Sequence, residues 1–236
     1  MKALRALPWI AALVALAIVA SGFGAKFGAW HFSVGFAILR YATYAGLAVA
    51  AIALVALCIP RTRARNAGVL AVALVVAGAA SALPLYWLQQ ARTLPPINDI
   101  TTDLDTPPEF GAIAPLRADA PVSAAYGGKA TADAQRAGYP DIGPVELGKP
   151  PAAAFDDALA IARAMGWTIV ASDRATGRIE ATATTAWFGF RDDVVIRVTP
   201  RGSGSRVDIR SHSRVGRGDL GANARRVRDF SARLRS

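Results

Sequence analysis

Acidic residues are missing from the first part of this 236-residue chain. All 17 Asp and Glu lie at Asp99 or beyond, so residues 1–90 carry charge only as seven Lys and Arg. These basic residues bound three charge-free apolar windows, at residues 6–25, 41–60 and 66–88. Each window has the roughly 20 apolar residues that a helix needs to cross about 30 Å of hydrocarbon. The sequence therefore predicts a membrane anchor at residues 1–90 with three transmembrane helices.

Cysteine and histidine are also scarce. Cys58 is the only cysteine and lies in the second window, which excludes a disulfide framework and a thiolate metal site. His212 is the only histidine after residue 90, which excludes a metal site built from several histidines. The string at residues 216–221 matches a dinucleotide-binding fingerprint, but Asp219 places a carboxylate where pyrophosphate would lie. We expect no metal and no cofactor.

The basic residues of the anchor predict its orientation. Lys2 and Arg5 precede the first window, and Arg61, Arg63 and Arg65 crowd the connection between the second and third. Short loops rich in Lys and Arg stay in the cytoplasm. An odd number of spans then places residues 91–236 outside, which predicts a multi-pass protein of the cytoplasmic (inner) membrane. Cleavage of the first window as a signal peptide is an open alternative that leaves this orientation unchanged.

The net charge of +10 suggests a nucleic-acid partner, but the distribution of charge argues against it. Seven positive charges belong to the anchor, and residues 91–236 hold 20 basic against 17 acidic residues, a net charge of +3. A domain on the outer side of the cytoplasmic membrane does not meet DNA or RNA. We expect membrane lipids as neighbours and no nucleic acid as a partner.

The connection between the first two windows, residues 26–40, carries apolar residues at helical spacing. They are Phe27, Trp30, Val34 and Ile38. This stripe predicts a short helix that lies in the membrane interface. Ionisable residues occur only at the ends of the windows, which disfavours an ion-coupled transporter.

Residues 91–236 predict an α+β domain in which an irregular wrap precedes a compact core. Residues 97–144 are rich in Pro, Gly, Ala and Asp with little periodicity, and predict extended chain rather than helix or strand. The core, residues 145–235, predicts two helices, four alternating strands and a short leading strand. The helices cover residues 151–165 and 219–234, the strands 167–172, 178–185, 193–199 and 206–215, and the leading strand 145–147. Short connections favour an antiparallel sheet of four to five strands, covered on one face by the two helices.

Pleating divides the predicted sheet into an apolar face and a polar face. The apolar face carries residues 179, 181, 183, 194, 196, 198, 207, 209, 211 and 213. The polar face, with the wrap beside it, is a candidate site for an anionic ligand such as a lipid headgroup or a glycan carboxylate. Its candidate residues are Asn98, Asp99, Asp103, Asp193, Arg197, Arg210, His212 and Arg214. The alternative is a solvated face of cross-strand ion pairs.

Catalysis has few candidate residues, and we assign no catalytic residue. His212 cannot meet Ser211 or Ser213 in a serine triad, because adjacent strand residues point to opposite faces. An enzyme that acts on lipid or cell wall stays an alternative, and it would need carboxylates that converge with Arg197 or His212. The carboxylates concerned are Asp99, Asp103 and Asp193.

Three aromatic residues, Trp187, Phe188 and Phe190, lie in a connection between strands. Exposed aromatic side chains are costly, so this group predicts an apolar contact. Packing beneath residues 98–110 is one interpretation. Contact with the bilayer surface or with a partner is the other.

Several short motifs of the C-terminal part resemble a bacterial and plastid family known as domain of unknown function 1499. They are PINDITTD at residues 96–103, PPEF at 107–110, YP at 139–140, GW at 166–167, RIEAT at 178–182, FGFRDD at 188–193, and the run from residue 205 to residue 223. The resemblance covers most of residues 96–235. It implies a small α+β domain, often tethered to a membrane, with no established reaction, cofactor or catalytic residue. Some relatives have a cysteine near the first motif, which this chain lacks.

The leading functional hypothesis is a membrane-anchored envelope protein whose outer domain binds a ligand or partner without catalysis. An anionic lipid, a glycan or another envelope protein would fit the polar face. The enzyme described above is one alternative. A structural subunit of a larger membrane complex is another, since small residues line the predicted spans.

Overall fold

The computed structural model describes residues 3–236. Three long helices come first, α1 (Leu7–Lys26), α2 (Phe32–Cys58) and α3 (Pro60–Thr93). All three are long and apolar enough to cross a membrane, with mean hydropathy of 2.0 to 2.2 in their most apolar windows. The chain is therefore a multi-pass membrane protein by the length and composition of its helices.

The second helix begins earlier than the sequence predicts. It starts at Phe32 rather than at residue 41, and His31 caps it by accepting a hydrogen bond from the backbone N–H of Ser33. The prediction of an interfacial helix at residues 26–40 is therefore wrong. The apolar stripe instead runs from a tight turn into the first turns of α2. Trp30 stabilises that turn by donating its indole N–H to the carbonyl of Ser21 at 3.1 Å.

Small residues let the three helices pack closely. Ala11, Ala53 and Ala73 are fully buried among them. A Cβ added at Gly46 of α2 would lie 2.3 Å from the hydroxyl of Ser81 on α3. These close approaches explain why the spans are rich in alanine and glycine.

A short turn, Ala186–Gly189, belongs to the same compact unit as the helices. The Trp187 indole N–H donates to the carbonyl of Val19 at 2.8 Å, and the ring lies where a side chain at Gly22 would be. Phe188 packs on Phe36 with ring centroids 4.9 Å apart. The prediction that these two aromatics pack beneath residues 98–110 is therefore wrong.

The second compact unit holds an antiparallel six-stranded sheet and three helices. The strand order is β1-β6-β5-β4-β3, and β2 also pairs with β6. The strands are β1 (Asp99–Thr101), β2 (Val145–Leu147), β3 (Thr168–Asp173), β4 (Arg178–Thr184), β5 (Arg191–Arg201) and β6 (Gly204–Ser213). The helices are α4 (Gly128–Gly138), α5 (Pro151–Ala164) and α6 (Ala222–Arg235). This arrangement confirms the predicted fold class.

The apolar core lies between one face of the sheet and the helices α5 and α6. Ile179, Ile196 and Ile209 are fully buried on the sheet side. From the helix side, Phe230 stacks on Trp167 with centroids 5.7 Å apart. All ten residues predicted on the apolar face are buried.

The wrap at residues 97–144 is more regular than predicted, since it contains β1 and α4. The link between them is Gln135, whose side chain is fully buried. Its amide accepts from the backbone N–H of Thr101 at 3.0 Å and donates to the carbonyl of the same residue at 2.6 Å. The side-chain amide of Gln135 therefore pairs with β1 as the backbone of a neighbouring strand would.

Candidate functional site

The polar face of the sheet points away from α5 and α6, and residues 102–127, the covering segment, lie across it. Glu180 on β4 shows how tightly the segment is held. Its carboxylate is 1% exposed and accepts hydrogen bonds from the backbone N–H groups of Gly111, Ala112 and Ile113 at 2.8 to 3.2 Å. The part of the polar face beneath the covering segment is therefore not solvated, although ion pairs of the kind expected by the alternative interpretation are present there.

Arg210 on β6 lies at the centre of the buried part of this face. Its guanidinium is 1% exposed and donates two hydrogen bonds to the carboxylate of Asp99, at 2.8 and 2.7 Å. The rings of Phe110 and Tyr126, both from the covering segment, lie 4.9 and 5.3 Å from it. A backbone carbonyl, that of Ala124, accepts a further bond at 3.0 Å. These contacts occupy the guanidinium from every side.

Asp193 on β5 is the second buried carboxylate. Its side chain is fully buried and accepts two hydrogen bonds from Arg214, at 2.9 and 2.8 Å. Arg117 of the covering segment adds an ion pair at 3.3 Å, and the hydroxyl of Thr182 donates at 2.8 Å. Asp193 is thus fully engaged by protein groups.

Arg117 joins the covering segment to the end of β6. Its guanidinium donates to the carbonyls of Ser213 at 3.1 Å and Val122 at 3.2 Å. Its Nε is buried without a hydrogen-bond partner among residues 3–236, as is the hydroxyl of Tyr126. Burial, with a contribution from nearby Asp99, raises the pKa of Tyr126 to about 12.

His212 lies beside this cluster and is 3% exposed. Its Nδ1 is 3.4 Å from Nη2 of Arg210 and 3.5 Å from a carboxylate oxygen of Asp99. Burial, followed by repulsion from Arg117 and Arg210, lowers the pKa of His212 to about 3. The imidazole is therefore neutral at physiological pH.

A second group of charges surrounds Asp103 at the start of the covering segment. Arg197 and Arg206 form ion pairs with its carboxylate at 2.8 and 3.0 Å. Partial burial acts to raise the pKa of Asp103, but hydrogen bonds from Thr106 and Asp105 outweigh it and hold the pKa below its ordinary value. Asp103 therefore stays ionised and fixes the turn that follows it.

A cavity of about 550 Å³ opens next to this group on the polar face. Its floor is Val195 of β5, and one wall is the Thr106–Glu109 stretch with its two prolines. Arg178 of β4 and Arg197 of β5 line the opposite side. Their side chains are 39% and 31% exposed, in contrast to the buried arginines. This is where the polar face meets solvent.

The eight predicted ligand-binding residues occupy three places in the domain. Asp99, Asp193, Arg210, His212 and Arg214 come together in the buried cluster. Asp103 and Arg197 meet beside the cavity, and only Arg197 lines it. Asn98 lies toward the helices, where its carbonyl accepts from the amide of Asn223 at 2.9 Å. The prediction that these residues bind a ligand stays a prediction.

Four residues at or above the polar face are absent from the candidates predicted from the sequence. Arg117 and Tyr126 lie in a segment without periodicity, which gave no indication of where their side chains point. The pleat does place Arg178 and Glu180 on the polar face, because they are two residues apart on β4. Arg178 is directly opposite Arg197 in the ladder. No group of three or more potential metal ligands occurs within residues 3–236.

The comparison with known families gives one match. Residues 99–234 match the family described as protein of unknown function (DUF1499). No curated protein matches the chain. The matched range begins at β1 and ends within α6, so it contains the sheet, the covering segment and the cavity. Since it spans more than half of the sequence, the chain belongs to the DUF1499 family of proteins of unknown function.

Proposed function

We propose that this protein is a membrane-anchored, non-catalytic binding protein whose α+β domain takes a small anionic ligand in the cavity beside Arg178 and Arg197. The observation that carries the proposal is their register. The two arginines are cross-strand partners and line the same cavity. Like charges directly opposite on neighbouring strands are destabilising, so such a pair needs an anion to offset the repulsion.

The protein's own carboxylates offset this repulsion only in part. Nε of Arg178 lies 2.9 Å from Glu180, but the alignment is not that of a hydrogen bond. Within the described chain, both ion pairs of Arg197 use Nη2 alone. A guanidinium has five N–H donors, so each arginine retains donors that a carboxylate or phosphate accepts.

The rest of the lining narrows the class of ligand. Pro107 gives a small apolar surface above the buried Val195 and Pro108, and Thr106 and Thr176 add hydroxyl groups. Asp105 and Glu109 place two carboxylates at the cavity. These repel a polyanion, so the cavity favours a ligand with one anionic group on an uncharged or zwitterionic body, such as a lipid headgroup or an acidic sugar.

The three carboxylates named in the enzyme hypothesis do not line the cavity, and Asp103, which lies beside it, is held in ion pairs by Arg197 and Arg206. Asp99 and Asp193 are 4% and 0% exposed beneath the covering segment, where arginines neutralise them. An acid or base must come within hydrogen-bond reach of its substrate. This placement supports binding rather than catalysis.

Isothermal titration of the full-length protein in detergent micelles tests the proposal, with glycerol 3-phosphate and glucuronate as probes for the phosphate and carboxylate classes. Arg178→Ala should weaken binding of the preferred probe by about tenfold or more, since charge-assisted hydrogen bonds contribute roughly 1.5–3 kcal/mol. Arg163→Ala on the exposed side of α5 is the matched control. Equal affinity in the two variants, or no binding of either probe, would overturn the proposal.

We also propose that the domain lies outside the cytoplasm, in the cell envelope. The support is the charge of Arg61, Arg63 and Arg65, which lie in the first turns of α3. In a Cys58→Ser background, Ser203→Cys on the exposed turn between β5 and β6 should react with a membrane-impermeant maleimide in intact cells. Ala64→Cys should react only after permeabilisation. The reverse pattern would contradict the proposed orientation.

A further inference from the structure

A charged side chain lies inside the second membrane helix. Arg40 is the ninth residue of α2 and is exposed on its surface. Its contacts are with Tyr41, since its Nη2 lies 3.4 Å from the phenol oxygen and its guanidinium 4.9 Å from the ring centroid. Residues 1–98 contain no Asp or Glu, and no ion pair involves Arg40 in the described part of the chain. No acidic group of the described chain neutralises this positive charge, so it is available to an anion from outside the protein.

The length of α2 places this charge near the edge of the hydrocarbon. At about 1.5 Å per residue its 27 residues extend roughly 40 Å, which is longer than the hydrocarbon core of about 30 Å. Arg40 lies about 12 Å from the start of the helix. Because helical side chains lean toward the N-terminus, its guanidinium extends toward the interface. That is the depth of the lipid phosphates.

Tyr41 also lines an apolar groove between α1 and α2. The groove has a volume of about 520 Å³, and Tyr41 has the only polar side chain in its lining. Leu13 and Ala17 of α1 form one side, and Ile38 and Ala45 of α2 form part of the other. From Val34 to Ala45 it runs roughly 16 Å, about half the thickness of the hydrocarbon core. One acyl chain of one leaflet matches this length.

We infer that α1 and α2 form a specific phospholipid site, in which Arg40 and the Tyr41 hydroxyl bind the phosphate and the groove holds one acyl chain. Charge complementarity selects this occupant. A second copy of the helices would bring only positive charge, since all acidic residues of the chain lie at Asp99 or later. A phospholipid supplies both the anion and the apolar chain.

Native mass spectrometry of the full-length protein tests this inference. After delipidation, phosphatidylethanolamine, phosphatidylglycerol and diacylglycerol with the same acyl chains are added back in separate samples. Both phospholipids should give an adduct of one lipid per chain, because the phosphate is common to them. Diacylglycerol lacks the phosphate and should not. Retention of diacylglycerol equal to that of the phospholipids would overturn the role of Arg40.

Variants separate the two halves of the site. Arg40→Gln and Ala45→Phe should each lower the phospholipid adduct by about tenfold, the first by removing the charge and the second by filling the groove. Arg40→Lys should retain it, which shows that charge rather than folding is responsible. The controls are Arg63→Gln and Val72→Phe, both on exposed positions of α3. Adducts unchanged in the two site variants, or a dimer that Ala45→Phe abolishes, would contradict the inference.

Discussion

Replacement of His212 by Gln should flatten the pH dependence of the domain's stability. The imidazole is buried on β6, where Arg117, Arg210, Asp99 and its cross-strand partner Asp193 are the charged groups around it and Phe110 packs on its ring. Burial and the two arginines lower its pKa to about 3. The folded domain therefore excludes a proton that the unfolded chain accepts.

The sign and the magnitude follow from this difference. An unfolded histidine titrates near pH 6.5, so between pH 6.5 and about 3 the unfolded state binds more protons and stability falls as the pH falls. At pH 5 the loss is about 2 kcal/mol, because each pH unit below 6.5 contributes about 1.4 kcal/mol. Above pH 7 the contribution is fully present and no longer changes.

Hydrogen exchange of the β5 and β6 peptides, measured on the full-length protein in detergent at pH 7 and pH 5, gives the opening free energy of the domain after correction for intrinsic rates. The wild type should lose about 2 kcal/mol more than His212→Gln between these two values of pH. His31 and the carboxylates are the same in both proteins, so the difference isolates His212. An equal loss in the two proteins would refute a neutral buried imidazole.

Three further predictions concern buried contacts. In urea titrations, Arg210→Ala should lower the unfolding free energy by about 3–5 kcal/mol. The control is Arg228→Ala, which breaks an equally bidentate but exposed ion pair and should lower it by at most about 1 kcal/mol. Gly22→Ala should lower the melting temperature in detergent because its Cβ would lie 2.5 Å from the indole of Trp187, while Gly68→Ala, with open space around it, should not. Glu180→Ala should speed exchange of the three amides at positions 111–113 by about tenfold or more, because each loses its acceptor, and unchanged exchange would contradict that role.

The strands and helices of the core were predictable because their side chains obey a period. In β4 to β6, alternate residues are buried in the apolar core, and α5 begins and ends within a residue of its predicted bounds. The start of α6 is less regular. The sequence predicts its start at Asp219, whose carboxylate accepts from the backbone N–H of Asn223 at 2.6 Å, but the helix begins only at Ala222. Leu220 and Gly221 have positive φ angles, so the backbone is not yet helical at these two positions.

The wrap was not predictable, because nothing local determines its structure. β1 has three residues, too few to show alternation, and it exists through pairing with β6 more than a hundred residues later. α4 buries few apolar side chains and is linked to the sheet through the amide of Gln135. Contacts of this kind depend on tertiary structure, and the periodicity of apolar residues gives no information about it.

The second membrane helix starts before its charge-free window for a different reason. The charge-free window at residues 41–60 predicts a span that begins after Arg40. A long side chain at the edge of the bilayer can keep its charge at the interface while its backbone continues as a helix. Charge limits the depth of the guanidinium, not the extent of the helix.

The same distinction between residue type and environment decides which arginines can bind a ligand. Arg210, Arg214 and Arg197 are equivalent in the sequence pattern, since all three lie on the polar face. A ligand at Arg210 would have to displace Asp99 and leave that carboxylate buried without its partner, a cost of several kcal/mol. Arg197 is 31% exposed and needs no such exchange. The proposed anionic ligand is therefore expected at the cavity end of the polar face, while the buried arginines hold the covering segment that forms the cavity wall.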